Sequence, residues 1–359
     1  MKPISLCLLL LAGSAFGQPA ASTSKKTTST KPTVLPEVVV TGTRLPEGVP
    51  LSAQSIDLDA AKARGTDGAS MLANTPGAAI LRNGPQTGIV QLHGLSGDRV
   101  KISIDGATIT PACPNHMDPP LHYASRGSMD TLAVMAGITP VSQGGDSIAG
   151  TVIVRSPDPR FATAEEQSIA SAQMGSHFRS SNDGYGFSLK GSAASTGFAA
   201  SYQGSWERAN DLRFPGGRVH ATGFETMQHQ ILAAMRLGAG VLTVDTSYVR
   251  TRDSGTPTLP MDMIEDEGYR LGLRYTATHD FGTVEARAYM HSIDHLMNNY
   301  SLRPLLPGSM PMESPATSRD YGYSLGVSLP SGAHTLRLGT DFHRNEFDAY
   351  QRNMVTGAL

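Results

Sequence analysis

The chain is poor in the residues that staple or anchor small exported domains: it has two cysteines and one tryptophan in 359 residues. The first cysteine, Cys7, falls in a stretch with the three-part pattern of a secretory signal: Lys2, the apolar run Ile4 to Leu11, and the small-x-small site Ala15-Phe16-Gly17. Removal of residues 1–17 would leave one thiol, Cys113, and exclude an intrachain disulfide. A lone thiol in an oxidising compartment has to be buried, reactive or metal-bound. Beyond the signal, no apolar run is long enough to cross a membrane as a helix, so a membrane location has to be reached with strands. A formal net charge of −2 gives no reason to expect nucleic acid. No Gly-x-Ser-x-Gly, phosphate-binding loop or paired-carboxylate motif stands in a credible context, so nothing supports an enzyme. The acidic run Asp262, Glu265, Asp266 and Glu267 reads as a solvated loop.

What is present falls into blocks. Residues 18–35 are rich in Ser, Thr, Lys and Pro, a flexible tether without material for a core. Residues 36–44, Pro-Glu-Val-Val-Val-Thr-Gly-Thr-Arg, form a short β-prone patch suited to an edge strand or to adding a strand to a partner's sheet. Residues 45–159 predict a compact mixed α+β domain. Its helix falls over Ala60 to Ala73, its strands over Ile89 to Leu95 and Arg99 to Ile104, and a Gly-rich turn after Gln143 leads into a strand ending at Val154.

From residue 160 the pattern becomes strict alternation. Tyr185, Phe187 and Leu189 interleave with small or polar residues, as do Tyr269, Leu271 and Leu273, and Tyr321, Tyr323 and Leu325. Apolar-out, polar-in strands of about ten residues are the signature of an antiparallel transmembrane β-barrel. Soluble sandwiches alternate too, but here the connections also alternate in length. Gly238 to Gly240, Asp280 to Gly282 and Pro330 to Ala333 are tight, whereas 210–223, 253–268 and 298–319 are long. The pattern yields about nine strands, whereas a lumen holding a separate domain takes roughly twenty-two. The barrel is therefore expected to be incomplete in this chain, which reads as the front part of a longer protein.

Two remote strings carry chemistry. Cys113-Pro114-Asn115-His116-Met117 places a thiolate and a thioether four residues apart, and His295-Leu296-Met297 places an imidazole and a thioether two apart. Soft sulfur donors select Cu(I), and a Cys-His-Met set also tolerates Cu(II); zinc rarely takes Met. A helical turn from Pro114 would bring Cys113 and Met117 together. Counting from Thr283, Val284, Ala286, Ala288 and Met290 face lipid, and Glu285, Arg287, Tyr289 and His291 face the lumen. The same register turns His295 and Met297 inward near the outer rim. Each donor also has a plain alternative: Cys113 and Met117 as core packing, His295 as a polar lumen residue. His116 and His122 read as loop residues, transient ligands or support for the ligands. Met261, Met263, Met310 and Met312 fall in outer loops, as weak copper-collecting sites or as packing.

The segment 36–44 resembles a TonB box and the start of a plug. The stretches Val90 to Gly106 and Gln143 to Ser156 resemble two plug signatures, with His93 where Arg is usual and Ala149 where Gly is frequent. On these residues the chain, from Pro36 onward, resembles a TonB-dependent outer-membrane receptor. The two sulfur-bearing strings are similar to those of its copper-receptor branch (OprC and NosA type), in which the plug and the barrel share one copper. The resemblance implies a plug inside an antiparallel transmembrane barrel in the outer membrane. It implies Cys113, Met117, His295 and Met297 as ligands of a transported copper ion. It implies, too, import energised by TonB through Pro36 to Thr43, and a monomeric full-length barrel. A siderophore, haem or cobalamin receptor on the same scaffold, or a non-transporting surface receptor or adhesin, are the alternatives.

Overall fold

Runs that are apolar on both faces and runs that alternate build two different sheets, and both are present in the computed structural model. It describes residues 54–56, 58, 65–143 and 147–358, all within the unit Arg44–Leu359. The signal, the tether and the TonB-box-like segment lie outside the described residues.

The N-terminal domain contains β1 (Gln54–Ser55), β2 (Ala78–Arg82), β3 (Gly88–Leu92), β4 (Leu95–Ser96), β5 (Val100–Ile104), β6 (Ala107–Thr108), β7 (Thr131–Ala136) and β8 (Gly150–Arg155). One sheet has the order β1-β7-β8-β5-β6, and a smaller one the order β2-β3-β4. β5 and β8 run parallel, Val100 opposite Gly150. Leu132, Val134, Val152 and Val154 are buried in a core with Leu72, Leu92 and Ile104, as expected where both faces of a strand are covered. Two turns match their residues. His93-Gly94 closes β3 to β4 and Asp105-Gly106 closes β5 to β6, and all four residues have positive φ, the geometry of a type I′ hairpin. A Cβ at Gly106 would also run into the Arg287 guanidinium. Of the helix expected over Ala60 to Ala73, residues 60–64 lie outside the described residues, and the described part contains only a 3₁₀ turn at Ala69–Leu72. Gly68 precedes that turn, and Asp67 Oδ1 accepts the Ser70 N–H at 3.0 Å, a local bond that favours a turn over a longer helix.

The second part is an antiparallel wall. Its long strands are β9 (Ser168–Arg179), β10 (Gly184–Ser195), β11 (Phe198–Ala209), β14 (Phe224–Leu237), β15 (Gly240–Ser254), β16 (Asp262–His279), β17 (Gly282–Asn298), β18 (Met312–Ser331) and β19 (His334–Ala349). A small hairpin, β12 (Leu212–Phe214) and β13 (Gly217–Val219), follows β11, and β20 (Arg352–Asn353) pairs with the start of β18. The nine long strands pair in chain order from β9 to β19, and those two end strands do not pair with each other. The wall is therefore an incomplete barrel. Tyr269 and Leu271 point out, while Arg270 between them points in and is buried.

Two of the long outer connections are shorter than expected. β16 begins at Asp262 and β18 at Met312, so the acidic run is strand, not solvated loop. Asp262 and Asp266 are buried. Glu265 pairs with Arg250 and Arg252, and Glu267 lies 2.9 Å from Arg250, all across the β15–β16 ladder. Cross-strand charge pairing keeps these acids in the sheet.

Buried carboxylates fasten the plug to the wall. Asp320 on β18 accepts from the Thr110 N–H and hydroxyl, both at 2.8 Å, from His343 at 2.8 Å and from Asn345 at 3.0 Å. Arg270 bridges Asp105 of the plug at 3.0 Å and Asp245 of the wall at 2.9 Å. Asp320→Ala strands several partly buried donors, each costing up to about 1 kcal/mol. We therefore expect a lower urea midpoint for protease resistance of the N-terminal domain. An unchanged midpoint would mean that Asp320 does not anchor it.

Candidate metal centre

The plug strings its donors on a loop after β6. The His116 N–H donates to the Cys113 carbonyl at 2.9 Å, a turn with Pro114 in the position where its fixed φ suits best. His116 then takes a φ of 51°, which reverses the chain. Asp118 reaches back and accepts the Ala112 N–H at 2.7 Å and the Cys113 N–H at 2.9 Å. The helical turn expected from Pro114 is therefore absent. The reversal at His116 and the Asp118 clamp do its work, bringing Cys113 and Met117 into one buried cluster with Met261, Met263 and Met297. His116 itself turns aside, with its ring over Gly97.

On β17 the expected parity shows from Ala288 to Met297. Met290 is 44% exposed, whereas His291, Ile293, His295 and Met297 are each 4% exposed or less. All four donors named from the sequence therefore converge. Cys113 Sγ lies 3.8 Å from Met297 Sδ, across 184 residues of chain. Met312 packs half-buried against the same cluster, while Met310 is exposed.

β16 adds what the sequence did not disclose. Met263 pairs with Met297 and Asp266 with His295, and the register shifts between Met263 and Glu265. In a regular strand residues three apart face opposite sides. The bulge at Ile264 absorbs one residue, so both Met263 and Asp266 face inward. Asp266 Oδ1 lies 2.9 Å from His295 Nδ1, with both side chains fully buried. A carboxylate there keeps the ring proton on Nδ1 and leaves a lone pair on Nε2. His295 lies next to Cys113, yet its Nε2 has no hydrogen-bond partner of acceptable geometry among the described residues. A buried nitrogen left without a partner calls for an occupant.

Around these donors sits a polar shell. Tyr123 Oη is 2.9 Å from Asp118 and 3.0 Å from Asp266. His122 Nε2 stands 3.3 Å from Asp266 Oδ2 and 3.1 Å from Thr251, and its Nδ1 3.2 Å from the Gln86 carbonyl. His122 is thus support for Asp266, the one of its three sequence readings that the contacts favour. Burial pushes the Asp118 carboxyl above its usual range. Burial, and then the two carboxylates, push the Tyr123 phenol well up. Burial works to lower His122, but the adjacent Asp266 outweighs it and the imidazole is raised. Asp118, Asp266 and His295 bring ligand atoms within 4.8 Å of one another. Two buried carboxylates beside a soft-donor cluster make a place that favours a cation.

Comparison with known proteins fits this architecture. Residues 46–151 match the TonB-dependent Receptor Plug Domain family. No curated protein matches the chain. Among solved structures, it is similar to the copper transporter OprC, with 25% identity and a TM-score of 0.76 over 85% of this chain and 48% of that one. The FrpB iron transporter from Neisseria meningitidis is similar at 13% identity and a TM-score of 0.61, over 83% of this chain and 49% of that one. A mutant of the ferric enterobactin receptor PfeA from Pseudomonas aeruginosa is similar at 13% identity and a TM-score of 0.63, with the same coverage. These last two bear on the fold alone. The chain spans about half the length of the solved structures it matches. Residues 46–151 are thus a plug domain of the TonB-dependent receptor kind, held against an open wall of antiparallel strands similar in fold to that of the copper transporter OprC.

Proposed function

We propose that this chain is the plug and the front of the barrel of an outer-membrane copper receptor. Cys113 and Met117 from the plug, with His295 and Met297 from the wall, hold one copper ion as cargo. TonB, engaging Pro36 to Thr43, drives its release to the periplasm. The observation that carries this reading is the 3.8 Å approach of Cys113 Sγ to Met297 Sδ across the plug–barrel boundary, beside a buried imidazole Nε2 that has no hydrogen-bond partner of acceptable geometry among the described residues. Thiolate, two thioethers and imidazole form a donor set for Cu(I), tolerant of Cu(II). The similarity to a copper transporter at 25% identity supports the same cargo. Receptors for organic iron chelates need aromatic or basic pockets, whereas the buried surface here offers sulfur and carboxylate.

The test uses cells producing the full-length protein and radioactive copper. Deleting residues 36–43 should abolish accumulation in the periplasm yet leave purified receptor loaded with copper. Undiminished uptake by the deletion variant would remove the energised-import reading. Uptake of a ferric chelate in place of copper would remove the cargo.

A further inference from the structure

Donors from two bodies that must separate during transport need something that keeps them in register until then. A hydrogen-bonded chain joins the two halves of this site. The Ala112 and Cys113 N–H groups donate to Asp118, at 2.7 and 2.9 Å. The Tyr123 hydroxyl lies between Asp118 and Asp266, at 2.9 and 3.0 Å. Asp266 holds His295 Nδ1 at 2.9 Å. Asp118 and Tyr123 belong to the plug and Asp266 to the wall, and all three are buried.

We propose that Asp266 and Tyr123 are positioning residues that lock the barrel imidazole to the plug thiolate, so that copper affinity depends on where the plug sits. The proposal rests on the copper reading above. Asp266 does two things with one carboxylate. It fixes the His295 tautomer and ring plane, aiming Nε2 at the sulfurs. It also takes up the plug through Tyr123, whose ring packs edge-on against His291 at 4.9 Å, one inward position beyond Ile293 on the same strand. The phenol contact carries this chain from plug to wall, beside the contact of His122 with the other oxygen of Asp266 at 3.3 Å. When the plug is displaced, that contact breaks. His295 and Met297 stay with the wall, and Cys113 and Met117 leave with the plug. The four-donor set becomes two weaker pairs, which converts a tight site into a releasing one without any change in the ligands themselves.

The chain also explains the bulge at Ile264. Met263 and Asp266 are needed on one face, and a regular strand forbids it.

The experiment compares full-length wild type, Asp266→Asn, Tyr123→Phe and the double variant, by Cu(I) competition with a chromogenic chelator and by X-ray absorption of bound copper. Asp266→Asn should weaken Cu(I) binding about 10–100-fold, the usual range for partners of this kind, and should diminish the imidazole scattering while the sulfur scattering persists. Tyr123→Phe should weaken binding about tenfold, and the double variant by less than the product of the two, because both act through one chain. Wild-type affinity with unchanged imidazole scattering in Asp266→Asn, or strictly multiplicative losses, would overturn the proposal while leaving the copper reading intact. Failure of the wild type itself to bind copper would instead remove that reading. If Asp266→Asn does not assemble, Tyr123→Phe decides alone: it contacts no donor, and full affinity in it overturns the lock.

Discussion

Cys113→Ser should lower the Cu(I) affinity of the full-length receptor by at least about 100-fold, above the 10–100-fold that supporting residues command. The thiolate is the anionic member of the proposed donor set, and a serine hydroxyl is a hard, neutral replacement that Cu(I) does not favour. The loss should be in binding, not in folding. What holds the loop is the Cys113 backbone, whose N–H donates to Asp118 at 2.9 Å, and the substitution leaves that bond in place. The side chain sits among Met117, Met261, Met263 and Met297, where a hydroxyl costs some packing without opening a large cavity. A 100-fold loss corresponds to about 2.7 kcal/mol, and chelator competition reads it directly. An affinity within a few-fold of wild type would show that Cys113 is only a small buried hydrophobe and that the copper reading is wrong.

Removing a single residue from β17 should be as damaging as removing the thiol. His295 and Met297 share a face because one residue, Leu296, separates them. Deleting Leu296 puts them on opposite faces, and every side chain on one side of the deletion flips. Either Met297 leaves the cluster or His295 does, taking Ile293 and His291 outward with it, so Cu(I) affinity should fall by at least about 100-fold, at or above the upper bound for supporting residues. Deletion of Ile264 on the neighbouring strand should behave in the opposite way. Ile264 is the residue absorbed by the bulge between Met263 and Glu265, so its loss regularises the ladder with β17 and keeps Met263 and Asp266 facing inward, at the cost of a one-residue shift at the end of the ladder with β15. The two deletions remove similar apolar residues from paired strands, and general damage would affect both alike. Equal copper binding by the two variants would mean that the face each residue presents does not govern the site.

These expectations show how much of the molecule lies open in local pattern. The long strands, the tight turns at 238–240, 280–282 and 330–333, and the inward face of β17 all follow from period-two alternation. Such alternation is a local property, imposed by the different solvents on the two sides of a wall. Near the rim the rule weakens. The inward face there meets the plug, so polar residues such as Asp266 can be buried and a short acidic run resembles a loop. That is why β16 begins inside a stretch expected to be an outer connection, and why Asp262 and Asp266 have the local pattern of a loop and yet are buried.

The supporting residues were hidden for a different reason. Tyr123 and Asp266 are 143 residues apart, and neither carries a spacing signal toward the other. His122 is one of two histidines near the sulfur loop, and only the wall decides which of them is used: His122 meets Asp266, while His116 lies over Gly97. The spacing of the Asp118 clamp, five and six residues beyond the N–H groups it accepts, was within reach of a sequence reading as a possible loop closure. Nothing in the sequence singled it out from other acids.

By itself the sequence determined the kinds of donor, their grouping into two pairs, and the face of β17 that carries one pair, because chemical softness and strand parity need no knowledge of distant neighbours. Tertiary structure alone decided that the two pairs meet, that a bulge brings Met263 and Asp266 to the same side, and that a tyrosine links the pairs through two buried acids. Those outcomes depend on how a plug loop seats against a wall, and contact between groups far apart in the chain is a property of the folded whole.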